Sequence, residues 1–422
     1  MRACVFIFAL LAIAHSKKLF IGHQVLRASP ESDEHVEYLK ELEGDQYWGL
    51  DFWTHPVSPG VPVDIHVPTS SLYATTNFLT QNKVPFTVMI SNVQELLDKE
   101  QAEVEENSMK ERNTKSFNFA AYHTLDTIYD WMNTLVAAHP NLVSKVNIGN
   151  SYENRPMYVL KFSTGANRPA IWVDAGIHSR EWVSVASAVW MANKIATDYG
   201  VDPSVTSFLG KMDIYFSLVT NPDGYVYTHT SVSPWDRMWR KTRSRNAGST
   251  CVGVDPNRNW DAGFGGPGAS KYPCSDSYHG PYAHSEIEVQ NVVNLIKNHG
   301  KFKSFISIHA YSQLLMYPYG YTCSSIPHQA ELDSVGKAAV KALSSLYGTS
   351  YQVGSICNII YQASGGSIDW SYNLGIKYSF AFELRDTGRY GFLLPSTQII
   401  PTASETWLAL KHIMEYVRDH PY

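Results

Sequence analysis

The feature that most constrains this fold is a regular alternation of short apolar runs and amphipathic segments from Asn118 to Tyr422. Strands are predicted at Met157–Phe162, Ile171–Val173, Asp213–Val219, Phe305–His309 and Tyr378–Leu384. Helices are predicted at Val183–Asp198, Ser285–His299, Gln329–Leu346 and Gln398–Arg418. This alternation predicts an α/β domain in which helices flank both faces of one mixed, mostly parallel sheet. In such folds the functional site lies at the carboxyl ends of the strands.

The segment before residue 93 predicts a second, smaller α/β unit over residues 17–92. Its strands and helices are predicted, in chain order, at Ile21–Ser29, Pro30–Leu42, Val61–Pro68, Ser71–Gln81 and Val84–Ile90. The strand at Val61–Pro68 alternates apolar and polar residues, which is typical of a half-buried strand. Two helices packed against one antiparallel sheet, an open sandwich, fit this order.

Between the two units, Val93–Arg112 is strongly charged and lacks Gly and Pro, which predicts an exposed helix. The basic sequence Lys110-Glu111-Arg112 ends it, and a polar stretch follows. Exposed polar linkers of this kind are preferred sites of proteolysis, so a trypsin-like protease is expected to cut here. We therefore predict a removable segment over residues 17–112 and a large domain over 113–422; a plain interdomain helix is the alternative.

The first 16 residues predict a secretory signal peptide. Arg2 precedes an apolar run, Cys4–Ala14, that is too short to cross a bilayer, and Ala14-His15-Ser16 has the small-x-small cleavage pattern. A buried N-terminal helix is the alternative. The chain of 422 residues is 44% hydrophobic with a net charge of −5, a balance that does not indicate a nucleic-acid-binding surface. No later run is long and apolar enough to predict a membrane-spanning segment. We expect a secreted, extracellular monomer.

Cysteine content supports an oxidising compartment. Without Cys4, four cysteines remain, an even number that favours two disulfides. Four cysteines allow three connectivities. We prefer nearest neighbours, Cys251–Cys274 and Cys323–Cys357.

Two distant segments carry candidate metal ligands. The apolar strand that begins at Ile171 stops at Gly176, and His178 and Glu181 follow where the next helix opens. A second apolar strand ends at His309. Two imidazoles and one carboxylate form a zinc-ligand set that leaves a coordination position open. The alternative is a pair of buried histidines with ordinary hydrogen bonds; Asp255 is a plausible acceptor that orients the His178 ring.

Glu383 lies inside an apolar strand, on the same face as Ala381 and Arg385. A buried carboxylate is costly unless it has a partner or a function. It is either a general base that activates the water at the metal or the partner of Arg385 or Arg389 in an ion pair.

Two segments with cationic residues, Met238–Ser244 and Asp255–Trp260, lie between Glu181 and His309 in the sequence. Arg240 or Arg243 is suited to stabilise an oxyanion. Asn257 and Arg258 are suited to bind a carboxylate, because a guanidinium matches it in bidentate fashion. Either segment could instead be a solvated basic loop.

Six ordered motifs together resemble one known family, the pancreatic-type metallocarboxypeptidases of the carboxypeptidase A/B group. The motifs are HSRE, WRKTRS, DPNRNW, SIHAYSQ, IYQASGGSIDW and FELRDTGRYGF. The resemblance covers the whole chain and implies an eight-stranded catalytic domain preceded by an inhibitory propeptide that caps the active-site cleft. It also implies one Zn²⁺ ion per chain and peptide or protein C-termini as substrate.

The resemblance gives each site residue a role. It implies that His178, Glu181 and His309 hold zinc, that Glu383 is the general base and proton shuttle, and that Arg240 polarises the scissile carbonyl. Asn257, Arg258 and Tyr361 would grip the C-terminal carboxylate. The residues implied to line outer substrate subsites are Arg180, Tyr311 and Phe392.

Specificity in this family depends on the residue at the bottom of the terminal side-chain pocket, where an acid selects Lys or Arg. This chain has Ile368 there, with Ile356 and Ile360 nearby and room left by Ala381. We therefore predict preference for aromatic and bulky aliphatic C-terminal residues. The additional Cys323–Cys357 pair resembles the A2 type, which favours large aromatics such as Trp.

Two departures and three alternatives accompany this interpretation. The loop Ser231–Asp236 is longer than expected, and Ala310 replaces a serine common beside the third ligand.

The alternatives are a catalytically inactive binder of peptide C-termini, a basic-specific B-type enzyme and a serine hydrolase. The serine hydrolase has least support, because the chain has no Gly-x-Ser-x-Gly elbow.

Overall fold

The computed structural model describes residues 18–45, 47–114, 116–229 and 236–422. The predicted signal peptide over residues 1–16 and most of the long loop at 231–236 lie outside the described residues. The described chain forms a small sheet of four strands and a large sheet of eight. The predicted class, a mixed eight-stranded sheet with helices on both faces behind a small antiparallel unit, is confirmed.

The N-terminal domain is an antiparallel sheet with strand order β2-β3-β1-β4. Its strands are β1 Gln24–Ala28, β2 Asp51–Phe52, β3 Val63–Val67 and β4 Phe86–Ile90. Its helices are α1 Asp33–Gly44 and α2 Thr69–Gln81. The buried side chains of β1, β3 and the two helices, Leu26, Leu39, Ile65 and Leu79 among them, share one apolar cluster.

The connecting helix α3, Val93–Thr114, is less exposed than its composition predicts. Val93 and Leu97 are buried, as expected for apolar residues four apart that share one helix face. On the same helix, Glu100 forms two hydrogen bonds, of 2.7 and 3.0 Å, with the fully buried guanidinium of Arg237. The prediction of an exposed helix was therefore wrong for this face, which packs on the large domain.

The large sheet has the strand order β11-β10-β12-β9-β7-β8-β6-β5. Its strands are β5 Val143–Asn150, β6 Pro156–Phe162, β7 Ala170–Ala175, β8 Asp213–Ser217, β9 Phe302–Ala310, β10 Leu314–Tyr317, β11 Gln352–Ser355 and β12 Tyr378–Leu384. The central strands β12, β9, β7 and β8 run parallel, whereas β10, β6 and β5 pair antiparallel with their neighbours β12, β8 and β6.

Helices cover both faces of this sheet. They are α4 Leu125–Ala138, α5 Trp182–Asp198, α6 Pro203–Leu209, α7 Pro222–His229, α8 Ile287–His299, α9 Gln329–Tyr347, α10 Ile356–Ile359, α11 Ser367–Asn373 and α12 Ile399–Asp419. Along β7, Ile171 and Val173 join the apolar cluster on one face, and Trp172 joins the cluster on the other. Burial on both faces explains why the central strands read as continuous apolar runs.

Both disulfides join neighbouring cysteines in the sequence, Cys251 to Cys274 and Cys323 to Cys357. The second one ties the loop after β10 to the short helix α10. In the part of the chain that the structure describes, no helix is both long enough and apolar enough to cross a bilayer.

Candidate active site

The candidate site lies at the carboxyl ends of the parallel strands β7, β9 and β12. Ala175, the last residue of β7, is paired with Ile308 on β9, so His178 emerges beside the end of β9, where His309 lies. On the other side of β9, Glu383 of β12 is in register with His309. The register therefore brings together three residues that are far apart in the sequence.

Gly176 makes the turn that presents His178. Its φ is +64°, a conformation that L side chains rarely adopt, and a Cβ built there would lie 2.7 Å from Cγ2 of Val185. The chain then reaches Glu181, which is the residue immediately before α5. The three-residue spacing between His178 and Glu181 thus spans a turn and the start of a helix. Their side chains meet, with His178 Nδ1 beside Glu181 Oε1.

Three predicted metal ligands meet at one point. His178 Nδ1 lies 2.7 Å from Glu181 Oε1. His309 Nδ1 lies 3.2 Å from Glu181 Oε2 and 3.2 Å from His178 Nδ1. All three side chains are buried, and they form a potential metal site.

The donor set fits a zinc ion. Ligands that bind a tetrahedral zinc at about 2.0–2.1 Å lie roughly 3.3 Å apart. The two separations of 3.2 Å that involve His309 Nδ1 are close to this value. Burial lowers the pKa of His178, helped by the nearby Arg240, so this imidazole is neutral and its Nδ1 can offer a lone pair. Burial alone would raise the pKa of Glu181, but the two histidines hold it well below its ordinary value. An ionised carboxylate beside imidazole nitrogens is a site for a cation.

Asp255 links the ligand cluster to Arg240. Its Oδ1 lies 3.2 Å from His178 Nε2, and its Oδ2 accepts two hydrogen bonds from Arg240, at 3.0 and 2.9 Å. Although it is fully buried, Arg240 and His178 hold the pKa of Asp255 well below its ordinary value. Arg240 lines the cavity, whereas Arg243 stacks on Tyr227, with its guanidinium carbon 3.6 Å from the ring centre. Of the two candidate arginines, only Arg240 faces the site.

Glu383 has no ion-pair partner of the predicted kind. Arg385 instead binds Glu405 through two hydrogen bonds, and the guanidinium of Arg389 lies over the Tyr390 ring, so the ion-pair alternative for Glu383 is not realised. Among the described residues, Oε2 of Glu383 is buried without a hydrogen-bond partner. Burial raises the pKa of this carboxyl to about 8, although His309 opposes the shift. Glu383 also lines the cavity, and a carboxyl group whose pKa lies near neutral pH can exchange a proton with a bound molecule.

Asn257, Arg258 and Tyr361 lie on the same cavity wall. Arg258 Nη2 donates to the Tyr361 hydroxyl at 2.8 Å. The side-chain oxygen of Asn257 accepts a hydrogen bond of 3.0 Å from the backbone N–H of Ser367. The side-chain NH₂ group of Asn257 is then available to donate to a ligand. A guanidinium, an amide and a phenol together form a site for a carboxylate.

The cavity has a volume of about 560 Å³ and extends into an apolar pocket. Ile368, buried at 3% exposure, lies in its wall. The pocket wall also includes Met316, Ile356, Ile360 and Ala381. The neighbouring Asp369 also lines the cavity, but both its oxygens accept hydrogen bonds from the backbone N–H of Gly320, and one also accepts from that of Tyr321.

The N-terminal domain contacts the three residues expected to line outer subsites. Asp51 receives two hydrogen bonds of 3.0 Å from Arg180 Nη1. The Tyr311 hydroxyl donates to Asp64 at 2.8 Å. The ring of Phe392 lies 5.1 Å from that of Trp53.

The contacts with Asp51, Trp53 and Asp64 were missed in the sequence analysis, which assigned no individual residue of the N-terminal domain to the site. A signal was available, since Asp51-Phe52-Trp53 places an acid among aromatic residues, a combination suited to covering a cleft that contains Arg180. The Met316 position was missed because its strand, Leu314–Tyr317, is apolar throughout and gives no sign of a pocket.

Comparisons with known proteins agree with this geometry. Residues 128–409 match the family model "Zinc carboxypeptidase", and residues 26–100 match "Carboxypeptidase activation peptide". The chain is 58% identical to carboxypeptidase A2 of Rattus norvegicus over 422 residues, all of both chains. It is 59% identical to carboxypeptidase A1 of Sus scrofa over 408 residues, 96% of each chain. The crystal structure of thrombin activatable fibrinolysis inhibitor superposes with a TM-score of 0.86 at 37% identity, covering 95% of this chain and 100% of that one.

The contact between Asp51 and Arg180 is expected to weaken in acid. Burial would raise the pKa of Asp51, but Arg180 and His66 hold it below the ordinary value of 3.8. A carboxyl with a lowered pKa stabilises the folded protein above its ordinary pKa, and this contribution is lost as the pH falls below that value. Asp51→Asn should therefore lower the Tm by about 2–4 °C at pH 7, and the difference from the wild type should narrow below about pH 4.

Thermal unfolding of the full chain between about pH 7 and about pH 2 would measure this difference, because the contribution is lost only between the ordinary pKa and the lowered one. Glu37→Gln is the control, because Glu37 forms an exposed ion pair with Lys40 on the same domain and should change the Tm little at any pH. An Asp51→Asn effect of equal size at both ends of the pH range would contradict a role for the Asp51 charge.

Proposed function

This chain belongs to the zinc carboxypeptidase family, and from that premise we propose that it is the secreted, monomeric zymogen of an enzyme that removes aromatic or bulky aliphatic C-terminal residues from peptides and proteins. One observation supports this most directly. A single cavity is lined by His178, Glu181 and His309, by Glu383, and by Arg258, whose guanidinium is suited to bind a carboxylate. Recognition of a terminal carboxylate next to a metal and a general base is what the reaction requires.

His178, Glu181 and His309 would hold the zinc ion, which when bound lowers the pKa of a water molecule and polarises a carbonyl group. Glu383 would take a proton from the attacking water, because it lines the cavity beside the proposed ligands and its Oε2 has no hydrogen-bond partner among the described residues, and would later return the proton to the leaving nitrogen. Arg240 would stabilise the oxyanion that forms on the substrate carbonyl. Asp255 supports this role, since it fixes the guanidinium in place through two hydrogen bonds.

Asn257, Arg258 and Tyr361 would bind the terminal carboxylate, and Ile368 would contact the terminal side chain. The pocket beside Ile368 is apolar, and burying an ammonium or guanidinium group without a partner there would be costly. Asp369 is engaged by backbone N–H groups. These features favour aromatic and bulky aliphatic residues over Lys or Arg.

Residues 17–112 would be the activation propeptide, with the globular part over 17–92 and the connecting helix over 93–112. The contacts with Arg180, Tyr311 and Phe392 support an inhibitory role, because a substrate needs the same surface. Lys110 and Arg112 are exposed near the end of α3, which supports cleavage there by a trypsin-like protease.

The proposed activity can be tested on a mixed peptide pool. After limited trypsin treatment, mass spectrometry should detect peptides shortened at the C-terminus by Phe, Tyr, Trp or Leu, and phenanthroline should abolish the shortening until zinc is restored. Boiled protein and trypsin alone are the controls. Intact peptides with retained binding would instead favour the inactive binder, and loss of Lys or Arg would favour a B-type enzyme.

Glu383→Gln should remove catalysis without removing the metal. The amide cannot accept a proton from water, so kcat should fall by about 10³-fold or more while the zinc content stays at one per chain. Steady-state kinetics and metal analysis measure the two quantities. Glu331→Gln is a matched control, because Glu331 pairs with Lys377 outside the cavity. Full turnover by Glu383→Gln would exclude this residue as the base.

Ile368→Asp should reverse the preference for the terminal residue. A carboxylate in the pocket would pair with a cationic side chain, so kcat/KM should rise for C-terminal Arg and fall for C-terminal Phe, each by about 10²-fold. Ile368→Val is the control, because it keeps the pocket apolar and should retain the Phe preference. Unchanged ratios in a folded Ile368→Asp protein would show that another residue determines specificity.

A further inference from the structure

A buried carboxylate that none of the proposed steps uses lies behind the metal site. Asp174 on β7 is 2% exposed, follows the apolar residues Ile171–Val173 of its own strand and has Ser217 and Ser307 as its register partners on β8 and β9. Its Oδ2 accepts a hydrogen bond of 2.7 Å from Trp172 Nε1, and its Oδ1 accepts one of 2.7 Å from the Ser307 hydroxyl. A buried ionised group is costly unless it has partners or a function.

The hydrogen bonds lead to a proposed zinc ligand. Asp174 and Ser307 are register partners across β7 and β9. The Ser307 hydroxyl lies 3.0 Å from His309 Nε2, two residues further along the same strand. Asp174, Ser307 and His309 therefore form a continuous chain on one face of the sheet, and it ends on the ring whose other nitrogen, Nδ1, faces Glu181.

The direction of each hydrogen bond follows from the ends of this chain. An ionised Asp174 can only accept, so the Ser307 hydroxyl must donate its hydrogen to it. The Ser307 oxygen then has only lone pairs left for His309, and in the neutral imidazole that a metal ligand must be, Nε2 carries the ring proton. That tautomer leaves Nδ1 with a lone pair directed at the metal site.

We propose that Asp174, acting through Ser307, is a positioning residue that fixes the tautomer and orientation of His309 and thereby sets how tightly the chain holds zinc. The inference rests on the proposed function only in taking His309 as a ligand. It parallels the contact of His178 with Asp255, since both histidines direct Nε2 to a buried acceptor and Nδ1 to the common point. The two arrangements differ because a hydroxyl stands between His309 and its carboxylate.

Asp174→Asn is expected to reverse the direction of the hydrogen-bond chain. Trp172 Nε1 can only donate, so the amide introduced at position 174 must turn its oxygen toward Trp172 and its NH₂ group toward Ser307. Ser307 would then accept from the amide and donate to His309 Nε2, which moves the ring proton to Nδ1. The variant keeps the shape of the site but reverses the hydrogen-bond chain, so its zinc affinity should fall at least as far as that of Ser307→Ala.

The test measures zinc dissociation constants of the full chain by competition with a chromophoric chelator, together with the visible spectrum of the Co²⁺-loaded protein. Ser307→Ala should weaken zinc binding by about 10–100-fold and shift the Co²⁺ bands. Ser304→Ala is the matched control, because Ser304 is a buried serine of the same strand whose hydroxyl donates to the Tyr378 carbonyl. It should stay within about threefold of the wild type, far less than the effect expected for loss of an outer partner of a ligand.

The double variant Trp172→Phe with Asp174→Asn separates positioning from general damage. Without the indole N–H, the introduced amide can turn its oxygen back to Ser307, so zinc should bind about 10-fold more tightly than to Asp174→Asn alone. The Tm of each metal-free variant checks folding, and Trp172→Phe alone should bind zinc like the wild type.

The outcomes distinguish this inference from the proposed function. A wild-type chain that binds no zinc would overturn the metal site itself. A wild type that binds zinc, with Ser307→Ala equal to Ser304→Ala, would overturn the positioning role alone. A double variant that binds no more tightly than Asp174→Asn would overturn the tautomer argument.

Discussion

The parallel register of β7, β9 and β12 is the constraint on which the site depends. These strands hold the backbone of His309 between the turn that carries His178 and the strand residue Glu383. Because hydrogen bonds fix the strands along their length, the side chains at their carboxyl ends have little freedom. A shift of one residue in β9 would move His309 to the opposite face of the sheet and remove the proposed ligand cluster.

That register also concentrates charge in a place with little water. Glu181, Asp255 and Asp174 are each almost completely buried, and each is stabilised by donors from neighbouring elements rather than by solvent. The arrangement is costly in the metal-free protein, since burial penalises every ionised group. A bound cation would offset part of this cost, which links zinc binding to the stability of the centre of the sheet.

The N-terminal domain contacts this charged region through complementary groups. Arg180 and Arg237 are both buried, and each finds a carboxylate from the N-terminal segment, Asp51 and Glu100 respectively. Removing the segment would expose both cations to solvent or to a new anion. At the cleft itself the domain occupies the hydrogen-bonding groups of Arg180 and Tyr311, while the cavity keeps a volume of about 560 Å³.

Many of the secondary-structure elements could be predicted from the sequence, because hydrophobic periodicity and turn residues depend only on neighbouring positions in the chain. The central strands, the four long helices predicted for the large domain and the HSRE motif at the end of β7 were all recognisable in order. The strands β5, β10 and β11 were not predicted. β10 and β11 have only four residues each, and β5, VSKVNIGN, is mostly polar, so none of them gives a clear pattern. The choice between Arg240 and Arg243 was also open, as both belong to one basic segment, and so was the ion-pair partner of Arg385.

The sequence alone determined the α/β class, the two-unit organisation and the chemical identity of the candidate ligands, because these depend on residue types and on spacing along the chain. Tertiary structure decided which of those residues meet. The pairing of Asp174 with Ser307, the contact of Asp51 with Arg180 and the direction in which Arg240 points all depend on strand register and on packing between domains. Such contacts leave no periodic signal in the chain, since each joins residues far apart in the sequence or depends on how a loop folds back.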